Sequence, residues 1–267
     1  MFSLQGKAVV VTGGGRGIGR AIADAMARCG AAVVITGRSS ETLDAAAAQL
    51  RESGAEVLAL AADITRAKDI DRIVAETLAR FGRIDGWVNN AGSADPDDVG
   101  PLLSIREDQW DRVVDLNLKW TFFAAQAAAR AMRDGGGSIV NISSRSASYP
   151  NPGTGHYGAA KAGVENLTRT MAAEWGHLKI RVNAVAPGVV MTEELAKTLN
   201  TESRIRRQAE TVPMQRIGRP DDIGPLCAFL VSDEASWTTG AVIPVNGGSI
   251  VPLGYLSYLH RVNRDIG

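Results

Sequence analysis

The stretch KAVVVTGGGRGIGR, residues 7–20, runs from a short apolar segment through a glycine-rich turn into sequence with helical spacing from Arg20. A strand, a turn and a helix in this order bring backbone N–H groups and the positive end of the helix dipole to one point. Glycine suits the turn because a side chain would hold a bound phosphate away from the backbone. The stretch therefore predicts a phosphate-binding turn after the first strand, with an ordinary tight turn as the alternative.

Six further short runs rich in β-branched residues follow the first one along the chain. They are almost unbroken apolar runs, which is typical of parallel strands covered on both faces. The segments between them have helical spacing: one follows Thr65 as a candidate N-cap, and another begins at Ser104 with Glu107 at the capping-box distance. The pattern predicts one α/β domain over residues 1–267, a doubly wound Rossmann-type fold with a seven-stranded parallel sheet and helices on both faces. The predicted strands are residues 7–12, 32–36, 56–61, 84–89, 138–143, 180–186 and 241–245.

The composition argues against several classes of function. The 267 residues include 29 basic and 29 acidic side chains, and a net charge of zero speaks against a nucleic-acid groove or a polybasic membrane surface. No apolar run approaches the roughly 18 residues that cross a bilayer. Cys29 and Cys227 are too few and too far apart for a disulfide framework, which favours a cytoplasmic protein. His156, His177 and His260 have no metal-ligand spacing, so we expect no metal.

Tyr157 and Lys161 lie four positions apart in a predicted helix and so share one face. An ammonium group near a phenol favours the phenolate, and we expect Lys161 to lower the pKa of Tyr157 from about 10 so that it can exchange a proton with a substrate oxygen. Ser144 stands thirteen positions before the tyrosine (157 − 144), at the end of the fifth strand, where open α/β sheets bind ligands. Ser143 is a competing serine with a spacing one residue longer, and an ordinary helix-surface pair is the alternative for Tyr157 and Lys161.

Further motifs occur in order along the chain. Asp63 closes the third strand, the sequence NNAG at residues 89–92 follows the fourth strand, and Asn117 lies in the fourth helix. The pair PG at residues 187–188, with Thr192 after it, follows the sixth strand. Together with the glycine turn and the serine–tyrosine–lysine set, these motifs resemble the short-chain dehydrogenase/reductase family over almost the whole chain.

The resemblance implies a catalytic set of four residues. Tyr157 would act as the general acid in carbonyl reduction and as the base in alcohol oxidation, while Ser144 would hydrogen-bond the substrate oxygen. Lys161 would tune Tyr157 and hold the nicotinamide ribose, and Asn117 would anchor a water that returns the proton through Lys161. For Asn117 the alternative is a polar residue that only kinks its helix.

The resemblance also implies a set of residues that bind a dinucleotide. Asp63 would bind the adenine amino group, Asn89 and Gly92 would line the ribose side, and the segment from Pro187 to Thr192 would hold the carboxamide. The full set is Gly13, Arg16, Gly17, Ile18, Gly19, Arg38, Asp63, Ile64, Asn89, Ala91, Gly92, Tyr157, Lys161, Pro187, Gly188, Val190 and Thr192.

The residues after the second strand bear on the choice of cofactor. An acidic residue at this position selects NAD by bonding the adenosine ribose, but this chain has Thr36-Gly37-Arg38 and no carboxylate. Arg38 could pair with a 2′-phosphate through its planar fork, and Arg16 could reach the same phosphate from the glycine turn. This resembles the NADP-preferring pattern of the family and predicts NADP(H), whereas the alternative is that Arg38 is a solvated loop residue.

The predicted function is that of an NADP(H)-dependent oxidoreductase that interconverts a ketone and a secondary alcohol. A 3-oxoacyl-thioester reductase and a hydroxysteroid dehydrogenase are alternatives with the same motifs. Arg130 matches one member of the basic pair that carrier-protein reductases present, but Leu178 stands where the other is expected. A non-catalytic NADPH sensor is an alternative of another class that needs none of the four catalytic residues, and a lyase is a third.

The expected partners are a small carbonyl or alcohol substrate and further copies of the chain, with neither nucleic acid nor membrane. Family resemblance implies a homotetramer built on the helices that begin near Ser104 and Tyr157. The sequence after residue 249 is apolar at first, and exposed apolar side chains would forgo about 25 cal/mol per Å² of burial. We expect residues 253–259 to pack at a subunit interface through Tyr255 and Tyr258, or else on their own core.

Overall fold

The computed structural model describes residues 2–249, which form one seven-stranded sheet with helices on both sides. All strand pairings are parallel, which confirms the predicted fold, and each strand lies within two residues of its predicted bounds. The strands are β1 Ala8–Thr12, β2 Ala32–Gly37, β3 Val57–Ala61, β4 Gly86–Asn89, β5 Gly137–Ile142, β6 Ile180–Pro187 and β7 Val242–Val245. The α-helices are α1 Gly17–Arg28, α2 Ser40–Glu52, α3 Ala67–Phe81, α4 Glu107–Val114, α5 Trp120–Ala131, α6 Gly155–Trp175, α7 Glu193–Thr198, α8 Glu202–Ala209 and α9 Gly224–Val231.

The order of the strands defines where a ligand can enter. The strands lie side by side as β3-β2-β1-β4-β5-β6-β7. The chain moves outward from β1 to β3 and then crosses back to place β4 on the other side of β1. Connections therefore reverse direction between β1 and β4, which opens a crevice outside their carboxyl ends.

Consecutive valines of β1 face opposite sides of the sheet. Val9 and Val11 pack in the layer that includes α1, α2 and α9, whereas Val10 packs in the layer that includes α3, α5 and α6. All three side chains are fully buried. Because helices cover both faces, the strand has no polar side, and this is the physical reason for its unbroken apolar sequence.

Two helices, α1 and α3, begin at other residues than predicted. α1 begins at Gly17 rather than Arg20, so the end of the glycine turn is already helical. α3 begins at Ala67, and the predicted cap Thr65 serves another purpose. The Thr65 hydroxyl donates to Asp63 Oδ1 at 2.7 Å and stabilises the turn after β3.

The start of α4 was also predicted wrongly, since Ser104 does not cap it. The Ser104 hydroxyl donates to the carbonyl of Pro101 at 2.9 Å within a short 3₁₀ turn. The side chain of Gln109 instead accepts a hydrogen bond from the amide of Arg106 at 3.0 Å. After α4 the helix continues through a π-helical turn, Asp115–Lys119, into α5.

Within residues 2–249 no helix is long and apolar enough to span a membrane. The predicted interface role of residues 253–259, with Tyr255 and Tyr258, falls outside the described residues and stays a prediction.

Candidate active site

The glycine turn between β1 and α1 is closed so tightly that side chains are excluded from it. Gly13 and Gly17 have φ angles of +66° and +55°, a region that favours glycine. A Cβ on Gly19 would lie 2.1 Å from the carbonyl oxygen of Gly13. The turn thus offers backbone and a helix N-terminus to a ligand, and this cradle fits the pyrophosphate of a dinucleotide. Ile18 anchors the start of α1 by packing on the core beneath it.

A hydrogen-bond hub joins the glycine turn to the segment after β4. The Thr12 hydroxyl accepts from the amides of Asn90 and Ala91, each at 3.0 Å, and donates to the carbonyl of Val88. The Asn90 side chain donates to the carbonyls of Thr12 at 2.9 Å and Gly13 at 3.3 Å. Thr12 and Asn90 therefore fix the two walls of the crevice against each other. We assigned neither a role from the sequence, although both lie inside the motifs that were singled out.

The side chain of Asn89 points into the core and not into the crevice. It is 4 % exposed, accepts from Trp87 Nε1 at 2.8 Å, and donates to Asn141 Oδ1 at 2.9 Å and to the carbonyl of Thr121 at 3.2 Å. These contacts use all its hydrogen-bonding groups except one acceptor lone pair. Asn89 could therefore line the ribose side only through its backbone, and that role stays a prediction.

The predicted serine, tyrosine and lysine meet at the carboxyl end of β5. Ser144 follows β5 by two residues, and its hydroxyl accepts from the amide of Ser146 at 3.1 Å. Tyr157 and Lys161 share one face of α6, with Lys161 Nζ 5.6 Å from the centroid of the Tyr157 ring. Lys161 is 3 % exposed and donates to the carbonyl of Ile142 at 2.9 Å. The ammonium group is thus held between the helix and the end of the strand.

The pKa values of Tyr157 and Lys161 shift in opposite directions because both groups are buried. Burial raises the pKa of Tyr157, and a hydrogen bond with the Ser144 hydroxyl offsets part of this. Burial lowers the pKa of Lys161 to about 8. The expectation that Lys161 lowers the pKa of Tyr157 is thus wrong for this arrangement, since Lys161 donates to a backbone carbonyl and the apolar surroundings disfavour the phenolate.

Asn117 lies in the π-helical turn between α4 and α5 and is fully buried. Its side-chain nitrogen donates to the carbonyls of Ser93 at 2.7 Å and Val113 at 2.9 Å. Its Oδ1 has no hydrogen-bond partner among the described residues. A Cβ on Gly92 would lie 2.5 Å from this oxygen and 3.2 Å from Lys161 Nζ. An unsatisfied acceptor and an ammonium group therefore face the same small space beside Gly92, which suits a water molecule.

The structure separates the two candidate serines. The Ser143 hydroxyl is 2 % exposed and donates to Glu165 Oε1 at 2.8 Å, so it is turned away from Tyr157. Ser144 is the serine that interacts with the phenol. Glu165, 7 % exposed, lies one helical turn after Lys161 and ties α6 to the end of β5. The i, i+4 spacing from Lys161 was a signal for Glu165 that we missed in the sequence.

The carboxyl ends of β2 and β3 bring Asp63 and Arg38 near each other. Partial burial tends to raise the pKa of Asp63, but the hydroxyl and amide of Thr65 and the charges of Arg66 and Arg38 hold it below its usual value. The Arg38 side chain is exposed. Ile64, the neighbour of Asp63, is partly buried against the core. An anionic carboxylate and a free guanidinium thus stand at the outer end of the crevice.

The other predicted arginine lies on the opposite side of the turn. The Arg16 side chain is 69 % exposed, and its Nη1 lies 3.9 Å from Glu194 Oε2 of α7. Such a long, exposed ion pair contributes little and leaves the guanidinium able to exchange partners.

The segment after β6 closes over the glycine turn. The amide of Gly188, next to Pro187, donates to a carbonyl of β7, and Val190 is buried and forms a lone parallel bridge. Thr192 caps α7, and its Cγ2 would lie 3.4 Å from a Cβ on Gly17. The predicted cofactor residues of β1 and β6 therefore face each other across one crevice.

A cavity of about 450 Å³ lies at the other edge of the sheet, against the amino ends of β1 and β2. Its lining includes Lys7 and Arg83, which are paired with Asp233 and Asp85. It is remote from Tyr157, which lies at the carboxyl edge of the sheet. Within residues 2–249 no cluster of three His, Cys, Asp or Glu side chains could hold a metal ion.

Comparison with known proteins agrees with this geometry. A family model described as enoyl-(acyl carrier protein) reductase matches residues 13–249. A solved short-chain type dehydrogenase/reductase from Mycobacterium ulcerans superposes with a TM-score of 0.88 at 36% identity, covering 93% of this chain and 91% of that one. The chain belongs to the short-chain dehydrogenase/reductase family. The resemblance inferred from the sequence motifs is thereby confirmed.

Members of the family that resemble this chain carry the names of different activities. A 3-oxoacyl-[acyl-carrier-protein] reductase of Synechocystis sp. is 37% identical over 254 residues, covering 94% of this chain and 100% of the relative. Glucose 1-dehydrogenase 2 of Bacillus subtilis is 34% identical over 252 residues, covering 92% of this chain and 95% of the relative. The identities are too similar to favour one substrate over another. The chain is an oxidoreductase of this family, and its substrate has to be argued from its own site.

Proposed function

We propose that the protein is an NADP(H)-dependent oxidoreductase that interconverts a ketone and a secondary alcohol. The observation that carries the proposal is the convergence of Ser144, Tyr157 and Lys161 at the end of β5, beside the crevice that begins at the glycine turn. The carboxyl ends of β1, β4, β5 and β6 line the same edge of the sheet, so a dinucleotide in the crevice would reach this group.

The chain's own residues would handle the proton. NADPH held in the crevice would supply a hydride to the carbonyl carbon, and the electron pair of the C=O π bond would pass to the oxygen. Tyr157, whose pKa is raised by burial, keeps its proton at neutral pH and gives it to that oxygen. Ser144 would hold the oxygen in place, and Lys161, whose Nζ lies 5.6 Å from the centroid of the Tyr157 ring, would supply the proton that restores the phenol. Alcohol oxidation would run through the same groups in reverse.

Asn117 would serve the return of the proton to Tyr157. Its unsatisfied Oδ1 and Lys161 Nζ face the same space beside Gly92. A water there would accept a hydrogen bond from Lys161 and donate one to Asn117. The proton would then pass from this water through Lys161 to the phenolate.

The preference for NADP(H) rests on the charges at the end of β2. Arg38 is exposed there, its positive charge acts on Asp63, and the turn itself has no carboxylate. Arg16 is bound only weakly by Glu194 and could turn to the same anion. A 2′-phosphate between two guanidinium groups would form charge-assisted hydrogen bonds, which are about twice as strong as neutral ones.

Reduction of a 3-oxoacyl thioester is the second candidate, favoured by the name of the Synechocystis relative. Arg130 is exposed at the end of α5 as carrier docking would require. Leu178, however, packs partly on the core and gives no second positive charge. A hydroxysteroid dehydrogenase and a non-catalytic NADPH sensor remain alternatives, and the sensor would not need the buried Lys161.

We further propose a cytoplasmic homotetramer. Trp110 on α4 and Phe123 on α5 are 44 % and 42 % exposed, and a subunit interface over these helices would bury their apolar area. Both cysteines, Cys29 and Cys227, are free thiols, as in a reducing compartment.

The test is oxidation of NADPH and of NADH by the purified protein against four substrate classes: simple ketones, 3-oxoacyl thioesters, quinones and ketosteroids. The proposal expects turnover of a ketone with NADPH at least tenfold more efficient than with NADH. Turnover of thioesters alone would support the second candidate, and NADPH binding without turnover in any class would support the sensor.

A further inference from the structure

Arg145 places a positive charge directly beside the catalytic serine. It follows Ser144, is half-buried, and its Cζ lies 5.8 Å from the centroid of the Tyr149 ring. Its Nε donates to the carbonyl of Ser249, the residue four positions after β7. Within residues 2–249 no carboxylate oxygen lies within 4 Å of its guanidinium, whereas other arginines such as Arg20, Arg72 and Arg112 have such a partner.

The direction of this side chain takes it across the mouth of the site. Ser144 and Arg145 leave the end of β5, whereas Ser249 follows the end of β7, and β6 lies between these two strands. The guanidinium therefore spans the carboxyl edge of the sheet on the side away from the glycine turn. That is the side on which a substrate must lie if the crevice at β1 and β4 holds the dinucleotide.

The segment after α8, residues 212–214, covers this region. A Cβ on Gly247 would lie 2.7 Å from Val212 Cγ1, and one on Gly248 would lie 3.2 Å from Pro213. The amide of Met214 donates to the carbonyl of Gly247 at 3.1 Å. Residues 212–214 thus pack onto the chain just before Ser249, so that Arg145 reaches a point walled by β5, by this segment and by the end of β7.

Among the described residues, the half-buried guanidinium of Arg145 has no anionic partner, and its terminal nitrogens form none of the backbone hydrogen bonds that Arg181 makes with both of its own. Removing a cation from water is costly unless an opposite charge or several hydrogen bonds compensate. The bond from Nε to Ser249 and the contact with the Tyr149 ring fix the orientation of the planar fork but use only one of its five N–H donors. The terminal nitrogens form a preorganised pair of donors, which is the geometry that binds a carboxylate or phosphate in a bidentate manner.

We propose that Arg145 is a specificity-determining residue that binds an anionic group on the substrate. The substrate would then be a carbonyl compound, or the matching alcohol, that carries a carboxylate or a phosphate. Its carbonyl would face Tyr157 and Ser144, and its anion would extend toward the end of β7. This inference rests on the proposed function, because it names the substrate class of that same site.

The experiment compares acids with neutral partners of nearly the same shape. The pairs are pyruvate, acetoacetate and levulinate with their methyl esters, and dihydroxyacetone phosphate with dihydroxyacetone. NADPH-dependent turnover gives KM for each compound. Calorimetric binding of the same compounds to the protein saturated with NADP⁺ requires no turnover. The variants are Arg145→Gln, which removes the charge, Arg145→Lys, which keeps it without the fork, and Arg133→Gln, an exposed arginine on the turn after α5, as the matched control.

The expected result is that wild type binds at least one anionic compound roughly ten- to hundredfold more tightly than its neutral partner. Arg145→Gln brings this ratio close to one, Arg145→Lys keeps part of it, and Arg133→Gln keeps all of it. Whether the carboxylate or the phosphate pairs show the effect identifies the anion. Equal affinity of acids and neutral partners for the wild-type protein would overturn the inference. Equal losses of affinity for acids and neutral partners in Arg145→Gln would also overturn it, because they would show that Arg145 only holds the segment at Ser249 in place. Selective binding of an acid that is never turned over would leave Arg145 in its role and overturn the proposed function instead.

Discussion

At the scale of single residues, burial moves the pKa values of a neighbouring phenol and amine apart. The pKa of Tyr157 is raised and that of Lys161 is lowered to about 8, whereas free tyrosine and lysine titrate close together. The Lys161 ammonium is therefore a stronger acid than the Tyr157 phenol, so transfer of a proton from Lys161 to the phenolate is favourable, as the return of the proton after carbonyl reduction requires.

The buried ammonium of Lys161 should affect stability as a function of pH. Its pKa is about 8 when folded and 10.5 when unfolded, so between these values the unfolded chain binds more protons and stability rises with pH. Lys161→Met lacks this rise. At pH 7 the variant should be more stable than wild type, because it has no buried charge. This difference in the free energy of unfolding should decrease by roughly 2–3 kcal/mol between about pH 7 and about pH 10. Urea unfolding across this range measures it, with the exposed Lys68→Met as the matched control. A constant difference between Lys161→Met and wild type would contradict the shift.

Arg38 should carry much of the discrimination between the two nicotinamide cofactors. A charge-assisted contact with the 2′-phosphate contributes about 1.5–3 kcal/mol, or one to two decades in affinity. Arg38→Ala should weaken NADPH by this factor and NADH little. Arg28→Ala, an exposed arginine at the far end of α1, is the control and should change neither. Fluorescence titration gives both dissociation constants. Equal losses of affinity for NADPH and NADH would contradict the role of Arg38.

At the scale of elements, the strands were predictable and the helix starts were not. A strand that is buried on both faces needs apolar residues at consecutive positions, as Val9, Val10 and Val11 illustrate. Such a run can be recognised from the strand's own sequence. The start of a helix depends instead on where a hydroxyl finds its partner. Thr65 bonds Asp63 and Ser104 bonds Pro101, so neither caps the helix that follows. The same sequence would have been compatible with both outcomes, since capping competes with local turns.

The glycine turn is the element whose backbone has least room for change. A Cβ on Gly19 would lie 2.1 Å from the Gly13 carbonyl oxygen, whereas one on Gly135 would meet nothing within 4 Å. Gly19→Ala should therefore lower the free energy of unfolding by about 1–3 kcal/mol, as overpacked side chains do, and should abolish dinucleotide binding. Gly135→Ala should change stability by less than about 1 kcal/mol and leave binding intact. Thermal unfolding measures the two changes in stability, and cofactor titration measures the two affinities. NADPH binding by Gly19→Ala as tight as wild type would show that the turn is not the cradle.

At the scale of the whole molecule, the sequence motifs predicted which residues gather but not how each is used. The order of the strands brings Gly13, Ser144 and Tyr157 to one edge, as expected from the fold. The inward turn of Asn89, the bond from Ser143 to Glu165 and the reach of Arg145 to Ser249 depend on contacts between residues 22 to 104 positions apart. A sequence motif records the residue type but not which way such a side chain points.

The exposed aromatic side chains of α4 and α5, Trp110 and Phe123, should lie in the interface of the proposed homotetramer. Placing a charge there by Phe123→Glu would put a carboxylate in an apolar interface, which is strongly unfavourable. We expect this variant to lose at least half of the assembled mass in light scattering. Ile205→Glu on α8, similarly exposed but outside this surface, should keep the mass of wild type. A Phe123→Glu protein that keeps the mass of wild type would exclude this surface as the interface.

The most direct test of the central claim is single-turnover reduction of the best ketone by Tyr157→Phe, with NADPH affinity measured on the same sample. Phe keeps the ring and its packing but cannot give a proton, and general acid catalysis contributes about 10²–10⁴-fold. The account predicts that the rate falls by this factor while the dissociation constant for NADPH changes by less than about threefold, or about 0.6 kcal/mol. A variant that retains more than roughly a few per cent of the wild-type rate would contradict the role of Tyr157 as the proton donor.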